Sequence, residues 1–373
     1  MHAHQGHHQP HSRGIRNSMD NAKPQTILKR LDGLQDFLAG HRFLLVHGKS
    51  FDGLGVSEVF DSLPHAEFID FSPNPLYEQV VEGVKAFNED SCDMIVAVGG
   101  GSAIDVAKCI KLYCRMDPLA DFLSQTPCDT GIPLIAIPTT AGTGSESTRH
   151  AVIYRDGIKQ SISHPSIRSD IAVLEPSLLD TLPDYHRKCT MLDAFCQAVE
   201  SWWSVRSTDE SVEYSRQAVE LIHDHWREYI FDKSHEAAAA VMLAANYSGR
   251  AIDITTTTAP HAMSYKLSSL YGIPHGHAVA LCMLPVWQYM RKGIENNKDD
   301  STVRLKTIFN ELPIDDNWFK RLMDELKMQC PVSKNREMDI ELLTASVNPE
   351  RLANNPVPFD SNVLKQLYGM IIK

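Results

Sequence analysis

The sequence lacks the features of exported, membrane-bound and nucleic-acid-binding proteins. Its 373 residues contain no uninterrupted apolar run of the roughly 18 residues that a membrane helix needs, and the amino terminus has no hydrophobic signal core. The eight cysteines form no CxxC pair, which is typical of a reduced compartment. A formal net charge of -11 excludes the basic excess of non-specific nucleic-acid binders. We therefore expect a soluble, cytoplasmic protein that binds small molecules, with no nucleic-acid or membrane partner.

The length and the order of the apolar segments predict two folded domains, since about 150 residues make a typical domain. Continuous apolar runs at 43–46, 94–98 and 134–138 predict buried parallel strands with helices between them, and after about residue 182 only helical patterns remain. The sequence therefore predicts three regions, with the active site between the second and third. They are a disordered, histidine-rich leader over residues 1–24, a dinucleotide-binding α/β domain over 25–182 and a helical, metal-binding domain over 183–373.

Two segments rich in glycine and hydroxyl groups follow predicted strands. The sequence GGGS at 99–102 lies between a buried run and a helix that begins near Ala103, and TTAGTGSE at 139–146 follows the next buried run. Glycines let the backbone approach a pyrophosphate closely, and free N–H groups at a helix start favour a negative charge. Together the two segments predict a dinucleotide site.

Two histidines fourteen residues apart, His261 and His275, have the character of metal ligands, and Asp193 is the best candidate for a third. A carboxylate and two neutral imidazoles are a usual ligand set for Zn²⁺ or Fe²⁺ that leaves positions open for water or a substrate oxygen. Gln197 lies one helical turn after Asp193 and shares its face. His277 either caps a helix or lines the substrate pocket.

Four segments resemble the iron-containing, or group III, alcohol dehydrogenases. They are GGGSAID at 99–105, PTTAGTGSE at 138–146, DAFCQAVES at 193–201 and PHAMSYKLSSLYGIPHGHAVAL at 260–281, and weaker similarity runs from about residue 40 to the carboxyl terminus. The resemblance implies an NAD(P)-dependent oxidoreductase, commonly a dimer or larger homo-oligomer. The implied fold is a Rossmann-like α/β amino-terminal domain plus an all-α carboxyl-terminal domain, as in dehydroquinate synthase, with one divalent metal ion between them.

The resemblance also implies roles for individual residues. Asp193, His261 and His275 match family metal ligands, and Asp105 matches an active-site position. The remaining matches are cofactor positions in the two loops: Gly99, Gly100, Gly101, Ser102, Thr139, Thr140, Thr143 and Ser145.

Two departures from the family pattern concern the catalytic centre. Gln197 stands where the family carries its second histidine ligand, and an amide oxygen is a poorer ligand than imidazole. The site is therefore expected to hold Zn²⁺ or Fe²⁺ with three strong protein ligands plus Gln197 or water. Tyr265 stands where a further family histidine lies, and it either relays a proton or packs. His277 is the other candidate for the relay.

A third departure concerns the nucleotide. Many NAD-dependent members carry an aspartate after the first strand, where this chain has Gly48, followed by Lys49 and Ser50. That aspartate would bond the adenine ribose and would repel a 2′-phosphate. Without it, NADPH becomes acceptable beside NADH.

The segments around Asp193 and His261 look most like the branch connected with phosphonate metabolism, which includes phosphonoacetaldehyde reductases. The resemblance implies reduction of a small anionic aldehyde to a primary alcohol by direct hydride transfer, with the metal as Lewis acid. Arg149, Lys159 and Lys266 are either anion contacts or solvated surface charges. Three alternatives stay open: a polyol (glycerol-type) dehydrogenase, a metal-dependent lyase that recycles NAD, and a non-catalytic nucleotide-binding protein.

Overall fold

A computed structural model of the protein describes residues 24–296 and 300–373. The predicted leader, apart from Pro24, lies outside these described residues. None of the described helices combines the length and the apolar character needed to cross a membrane. The eight cysteines are all free thiols, in agreement with the absence of a CxxC pair.

Six parallel strands form one sheet in the order β1-β8-β5-β4-β2-β3, and an antiparallel hairpin, β6–β7, lies beside it. The eight strands are β1 (Thr26–Leu28), β2 (Phe43–His47), β3 (His65–Phe68), β4 (Met94–Gly99), β5 (Leu134–Pro138), β6 (His150–Arg155), β7 (Ile158–Ser163) and β8 (Ile171–Val173). The three predicted strands correspond to β2, β4 and β5, so the prediction of a parallel α/β sheet is confirmed.

Both faces of the central strands are buried, which explains their continuous apolar sequences. In β2, for example, Leu44 and Val46 belong to one apolar cluster while Phe43 and Leu45 belong to another on the opposite face. The first cluster includes residues of the two long helices of this domain. The helices of the domain are α1 (Leu34–Leu38), α2 (Tyr77–Glu89) and α3 (Gly101–Tyr113).

The sequence missed β1, β3 and β8 and the hairpin. β1, at one edge of the sheet, and β8 beside it have three residues each, too few for a periodic pattern, and β3 at the other edge is only partly buried. Short edge strands depend on pairing with a neighbour that is distant in sequence. Their own residues therefore carry little signal.

The second half of the described chain is helical, as predicted. Its helices are α4 (Asp184–Trp203), α5 (Asp209–Arg227), α6 (His235–Thr255), α7 (Ala259–Tyr271), α8 (His275–Asn296), α9 (Asp300–Glu311), α10 (Asp316–Glu325), α11 (Arg336–Ala345), α12 (Pro349–Leu352) and α13 (Ser361–Ile371). The sequence predicts a start of α4 at Met191, seven residues late, because the first turns contain polar residues and interrupt the apolar pattern. One large apolar cluster joins most of these helices.

The two halves of the molecule touch closely where the loop after β5 meets α6. Gly144 has a φ of +60°, and a Cβ atom there would lie 2.6 Å from the carbonyl oxygen of Ala245 and from the Cα of Gly249. A Cβ atom on Gly249 would lie 2.4 Å from the Gly144 carbonyl oxygen. Glycine at both positions therefore lets the loop rest directly on the helix.

Candidate active site between strand loops and helices

Three of the predicted metal ligands converge. Asp193 lies in the middle of α4, His261 in the first turn of α7 and His275 at the first position of α8, and one ligand atom of each lies within 4.8 Å of the others. The Nε2 atoms of His261 and His275 are 3.2 Å and 3.8 Å from Asp193 Oδ1. Asp193 and His261 are buried, whereas the His275 side chain is 38% exposed. The group therefore opens to solvent on the His275 side.

Close helix packing brings His275 to Asp193. A Cβ atom on Gly276 would lie 1.9 Å from the Cys189 carbonyl oxygen and 3.0 Å from the Asp193 Cβ. The start of α8 therefore rests against α4 at a distance that any larger residue would prevent.

Glu200, one turn beyond Gln197 on α4, positions His261. Its Oε1 atom accepts hydrogen bonds from the backbone N–H groups of Thr258 and His261 at 2.9 Å and 3.2 Å, so it caps the start of α7. Its Oε2 atom contacts His261 Nδ1. A carboxylate on one imidazole nitrogen fixes the ring so that the other nitrogen faces the metal position. The sequence analysis did not identify Glu200, although Asp193, Gln197 and Glu200 are spaced along one helix face.

The protonation states suit a metal ion. Burial would raise the pKa of Asp193, but His275 and His261 hold it below its usual value. Partial removal from water lowers the pKa of His275 against the opposing charge of Asp193, and His261 and Lys159 add to this shift. Burial would also lower the pKa of His261, but Glu200 and Asp193 raise it to about 9. A carboxylate and a neutral imidazole are metal-binding forms, and a bound ion would displace the proton on His261 Nε2.

Gln197 lies one turn after Asp193 on α4 and contacts α6. Its Oε1 atom accepts a hydrogen bond of 2.9 Å from Ser248 Oγ, and the side chain also bonds Asp193. An amide oxygen has two lone pairs, so this bond leaves one acceptor position on Gln197, and its role as a further metal ligand stays a prediction. Three donors with room for further ligands are typical of catalytic metal sites.

The predicted nucleotide loops meet at the carboxyl ends of neighbouring strands. A Cβ atom on Gly101 would lie 3.2 Å from Thr143 Oγ1, so the loops after β4 and β5 are in contact. The turn at Gly48 is next to them, because His47 pairs with Val98. This edge of a parallel sheet is where doubly wound folds bind ligands. The predicted cofactor residues gathered there are Gly48, Lys49, Ser50, Gly99, Gly100, Gly101, Ser102, Thr139, Thr140, Thr143 and Ser145.

Comparison with known proteins agrees with this arrangement. The family described as iron-containing alcohol dehydrogenase matches residues 26–176, and the carboxyl-terminal domain of the Fe-containing alcohol dehydrogenase family matches residues 188–366. The chain belongs to the iron-containing alcohol dehydrogenase family. The resemblance found in the sequence is thereby confirmed.

Individual members of the family show a range of substrates. The chain is 35% identical over 215 residues to a phosphonoacetaldehyde reductase of Streptomyces viridochromogenes, covering 53% of each protein. It is 32% identical over 264 residues to a choline dehydrogenase of Bacillus subtilis, covering 67% of this chain and 66% of that one. The chain thus spans between about half and two-thirds of these curated relatives, and their names alone do not assign its substrate.

The comparison with a solved structure covers nearly the whole chain. The sulfoacetaldehyde reductase of Bifidobacterium kashiwanohense, in complex with NAD⁺, superposes with a TM-score of 0.84 at 26% sequence identity. The superposition covers 94% of this chain and 98% of that one. The predicted fold class, an α/β domain followed by an all-α domain, is therefore confirmed.

Asp105 and Ser145, which match the family's loop motifs, are engaged in bonds within the protein. Ser145 Oγ donates to Asp105 Oδ1 at 2.6 Å and accepts from the buried Lys108 Nζ at 2.9 Å. Asp105 also accepts from the Val152 N–H at 2.9 Å, which ties α3 to the hairpin. Burial raises the pKa of Asp105, although Lys108 opposes the shift. Asp105 therefore holds the loop after β5 through Ser145. A catalytic role for Asp105 stays a prediction.

Tyr265, which replaces a family histidine, lies beside the metal ligands. Its ring stacks on His275 with 5.5 Å between centroids and 16° between planes. Lys159 Nζ lies 3.8 Å from the centroid of the same ring, and Arg351 donates to the Tyr265 hydroxyl at 2.6 Å. Burial raises the pKa of Tyr265, so the phenol is neutral. The sequence analysis did not single out Arg351, because it is 86 residues from Tyr265 and belongs to no recognised motif.

The remaining predicted residues have different surroundings. The Nδ1 atom of His277 and the Tyr185 hydroxyl form a hydrogen bond of 2.7 Å. The Nε2 atom of His277 is buried and has no hydrogen-bond partner in the described chain. Arg149 pairs with Asp253 at 3.1 Å. Lys266 is half-buried on α7 and forms no ion pair within residues 24–296 and 300–373. The structure therefore brings Lys159, but not Arg149, beside Tyr265.

Proposed function

We propose that this protein reduces a small aldehyde bearing an acid group, of the phosphonoacetaldehyde type, to a primary alcohol with NADPH or NADH. The observation that carries the proposal is the convergence of Asp193, His261 and His275 within 4.8 Å, in a chain of the iron-containing alcohol dehydrogenase family. The glycine-rich loops of the same chain gather at the carboxyl edge of the parallel sheet. Such a site combines a metal position with a nucleotide position.

Asp193, His261 and His275 would hold a divalent ion, Zn²⁺ or Fe²⁺. When bound, the ion supplies Lewis-acid polarisation of a carbonyl oxygen, and the nicotinamide supplies the hydride. Glu200 holds His261 with Nε2 directed at Asp193, and Gln197, one turn after Asp193, is the candidate for a further ligand. The chain's own contribution to the metal position is therefore a preorganised set of ligands.

Two groups near this position can hold a proton for the alkoxide that reduction produces. The Tyr265 hydroxyl is protonated and lies next to His275 through ring stacking. His277 forms a pair with the Tyr185 hydroxyl, and burial lowers the pKa of His277. A neutral histidine bonded to a phenol can pass a proton along the pair. Tyr265 and His277 are the two relay candidates.

The turn after β2 supports the use of either nucleotide. Gly48 follows His47 at the carboxyl end of the strand, and Lys49 and Ser50 are exposed. Gly48, Lys49 and Ser50 themselves carry no carboxylate to repel a 2′-phosphate, and Lys49 can attract one. NADPH is therefore expected to be accepted beside NADH.

The test is oxidation of NADPH and NADH by metal-analysed protein supplied with phosphonoacetaldehyde or propionaldehyde. We expect turnover of the acid-bearing aldehyde with stoichiometric divalent metal. Asp193→Ala should lose both the metal and turnover, whereas Asp324→Ala, on the exposed side of α10, should lose neither.

Each other outcome overturns the proposal in a defined way. Product without net nicotinamide oxidation would favour the lyase, and oxidation of glycerol in preference to either aldehyde reaction would favour the polyol dehydrogenase. Nucleotide binding without metal or turnover would favour a non-catalytic protein. Full turnover by Asp193→Ala would reject the metal site itself.

A further inference from the structure

Lys159 and Arg351 approach one aromatic ring from different parts of the molecule. Lys159 lies on β7 of the hairpin, Tyr265 on α7 and Arg351 on α12. Lys159 Nζ is 3.8 Å and the Arg351 guanidinium carbon 5.0 Å from the Tyr265 ring centroid. Arg351 also donates to the Tyr265 hydroxyl at 2.6 Å and reaches Ser161 Oγ on the hairpin at 3.5 Å. The two cations therefore meet at the boundary between the hairpin and the helices.

This pair has no carboxylate partner. Neither Lys159 nor Arg351 forms an ion pair within residues 24–296 and 300–373. Asp105 is the nearby acid that attracts Lys159, but its oxygens already accept from Ser145 and Val152. Burial, and after it the charge of Arg351, lowers the pKa of Lys159 to about 7. Two partly buried cations without a counter-charge repel each other, and a bound anion would remove that cost.

The position of the pair relates it to the metal ligands. The Tyr265 ring, which both cations touch, stacks on His275, and His275 is the ligand on the open side of the triad. A substrate could place its carbonyl oxygen at the metal position and its acid group against Lys159 and Arg351. To do so it need extend only past the Tyr265 ring. That fits an aldehyde with a short carbon chain.

We propose that Lys159 and Arg351 form the binding site for the acid group of the substrate, and that they select short aldehydes bearing a tetrahedral oxyanion. This proposal rests on the proposed function for the identity of the reacting end. The guanidinium offers a planar pair of donors and the ammonium a compact charge, so together they can contact several oxygens of a phosphonate or sulfonate. The Tyr265 ring supports both side chains through cation–π contact.

The kinetic test compares Lys159→Met and Arg351→Met with the unmodified protein on phosphonoacetaldehyde and propionaldehyde. Methionine keeps an unbranched apolar chain of similar reach and removes the charge. We expect each variant to lose about tenfold or more in kcat/KM for the phosphonate, mainly through KM, as for loss of a hydrogen bond to a charged group. The propionaldehyde value should stay within about twofold in Lys159→Met, and in Arg351→Met, which also removes a bond to the Tyr265 hydroxyl, it should fall less than the phosphonate value. Lys159→Arg should retain most of the preference, because it keeps the charge.

Matched controls are Lys320→Met and Arg216→Met, which remove exposed charges that pair locally on α10 and α5. Both should behave as the unmodified protein with both aldehydes. An equal loss on phosphonoacetaldehyde and propionaldehyde in Lys159→Met and Arg351→Met would show a purely structural role and overturn the proposal. Unchanged kinetics on both aldehydes would overturn it as well.

A binding measurement separates this proposal from the proposed function. Calorimetry with 2-hydroxyethylphosphonate, the alcohol that reduction of phosphonoacetaldehyde would yield, requires no turnover. We expect binding by the unmodified protein and at least about tenfold weaker binding by Arg351→Met. Binding of this kind in a protein that reduces no aldehyde would retain the anion site and reject the reductase. No binding, together with active reduction of neutral aldehydes, would reject the anion site alone.

Discussion

Two pairs of basic residues lie near the boundary between the sheet domain and the helices. One pair contacts a carboxylate, and the other has none within the described residues. Arg149 and Arg168 share Asp253 of α6, whose side chain is 3% exposed. Lys159 and Arg351 share a tyrosine ring, and Arg351 also reaches the Ser161 hydroxyl. Asp253 compensates one of the two charges of the first pair and joins the two domains. The second pair has no carboxylate partner within residues 24–296 and 300–373, so a bound anion can supply the missing counter-charge. This is the difference between a structural contact and a recognition site.

The largest effect is expected from removing the shared carboxylate. Asp253→Asn would leave Arg149 and Arg168 without their counter-charge, and breaking a buried pair costs about 3–5 kcal/mol. The free energy of unfolding, measured by urea denaturation, should fall by this amount. The exposed pair of Lys320 and Asp324 provides the control, because Asp324→Asn should cost about 1 kcal/mol or less. Equal losses in the two variants would contradict the comparison.

A carboxylate can also be added to the second pair. Ser161 Oγ lies 3.5 Å from Arg351, so Ser161→Asp would neutralise the guanidinium from within. KM for an acid-bearing aldehyde should rise by about tenfold or more, because the added charge occupies Arg351 and repels the substrate. KM for a neutral aldehyde should hardly change, and Ser161→Asn separates the effect of charge from that of size. An equal rise in KM for both aldehydes would show that Lys159 and Arg351 do not distinguish a charged substrate from a neutral one.

Arg149→Met tests whether the first pair has any part in binding anions. Asp253 would keep Arg168 and the backbone N–H of Arg149, so we expect a moderate loss of about 1–3 kcal/mol in unfolding free energy. The ratio of kcat/KM for acid-bearing and neutral aldehydes should stay constant. A selective loss on the acid-bearing aldehyde would instead place Arg149 in the substrate site, as one of the sequence predictions has it.

The smallest effect is expected for Lys266→Met. Lys266 follows Tyr265 in sequence, but neighbouring helix positions point about 100° apart. The structure shows no ring contact or ion pair for Lys266 within residues 24–296 and 300–373. Neither the substrate ratio nor the unfolding free energy should change by more than the measurement error. A tenfold loss with phosphonoacetaldehyde alone would make Lys266 a third member of the anion site.

Some strands and some site residues were predictable from the sequence, and others were not. The buried strands β4 and β5 were predictable, because central parallel strands need continuous apolar residues on both faces. Asp193, His261 and His275 were predictable as a set, because few residue types bind metals strongly and the spacing of the set follows a known family. Glu200 was within reach, because it shares a helix face with Asp193, but nothing in the sequence shows that it caps α7.

The sequence by itself determined the order of an α/β domain and a helical domain, the glycine loops after two strands and the identity of the candidate metal ligands. These features depend on local periodicity and on residue chemistry, both of which can be read within a short segment. Only the tertiary structure decided which basic residues have a counter-charge: Arg149 meets Asp253, 104 positions away, whereas Lys159 meets Tyr265 and Arg351. Charge compensation depends on distances between remote segments, and folding alone sets those distances.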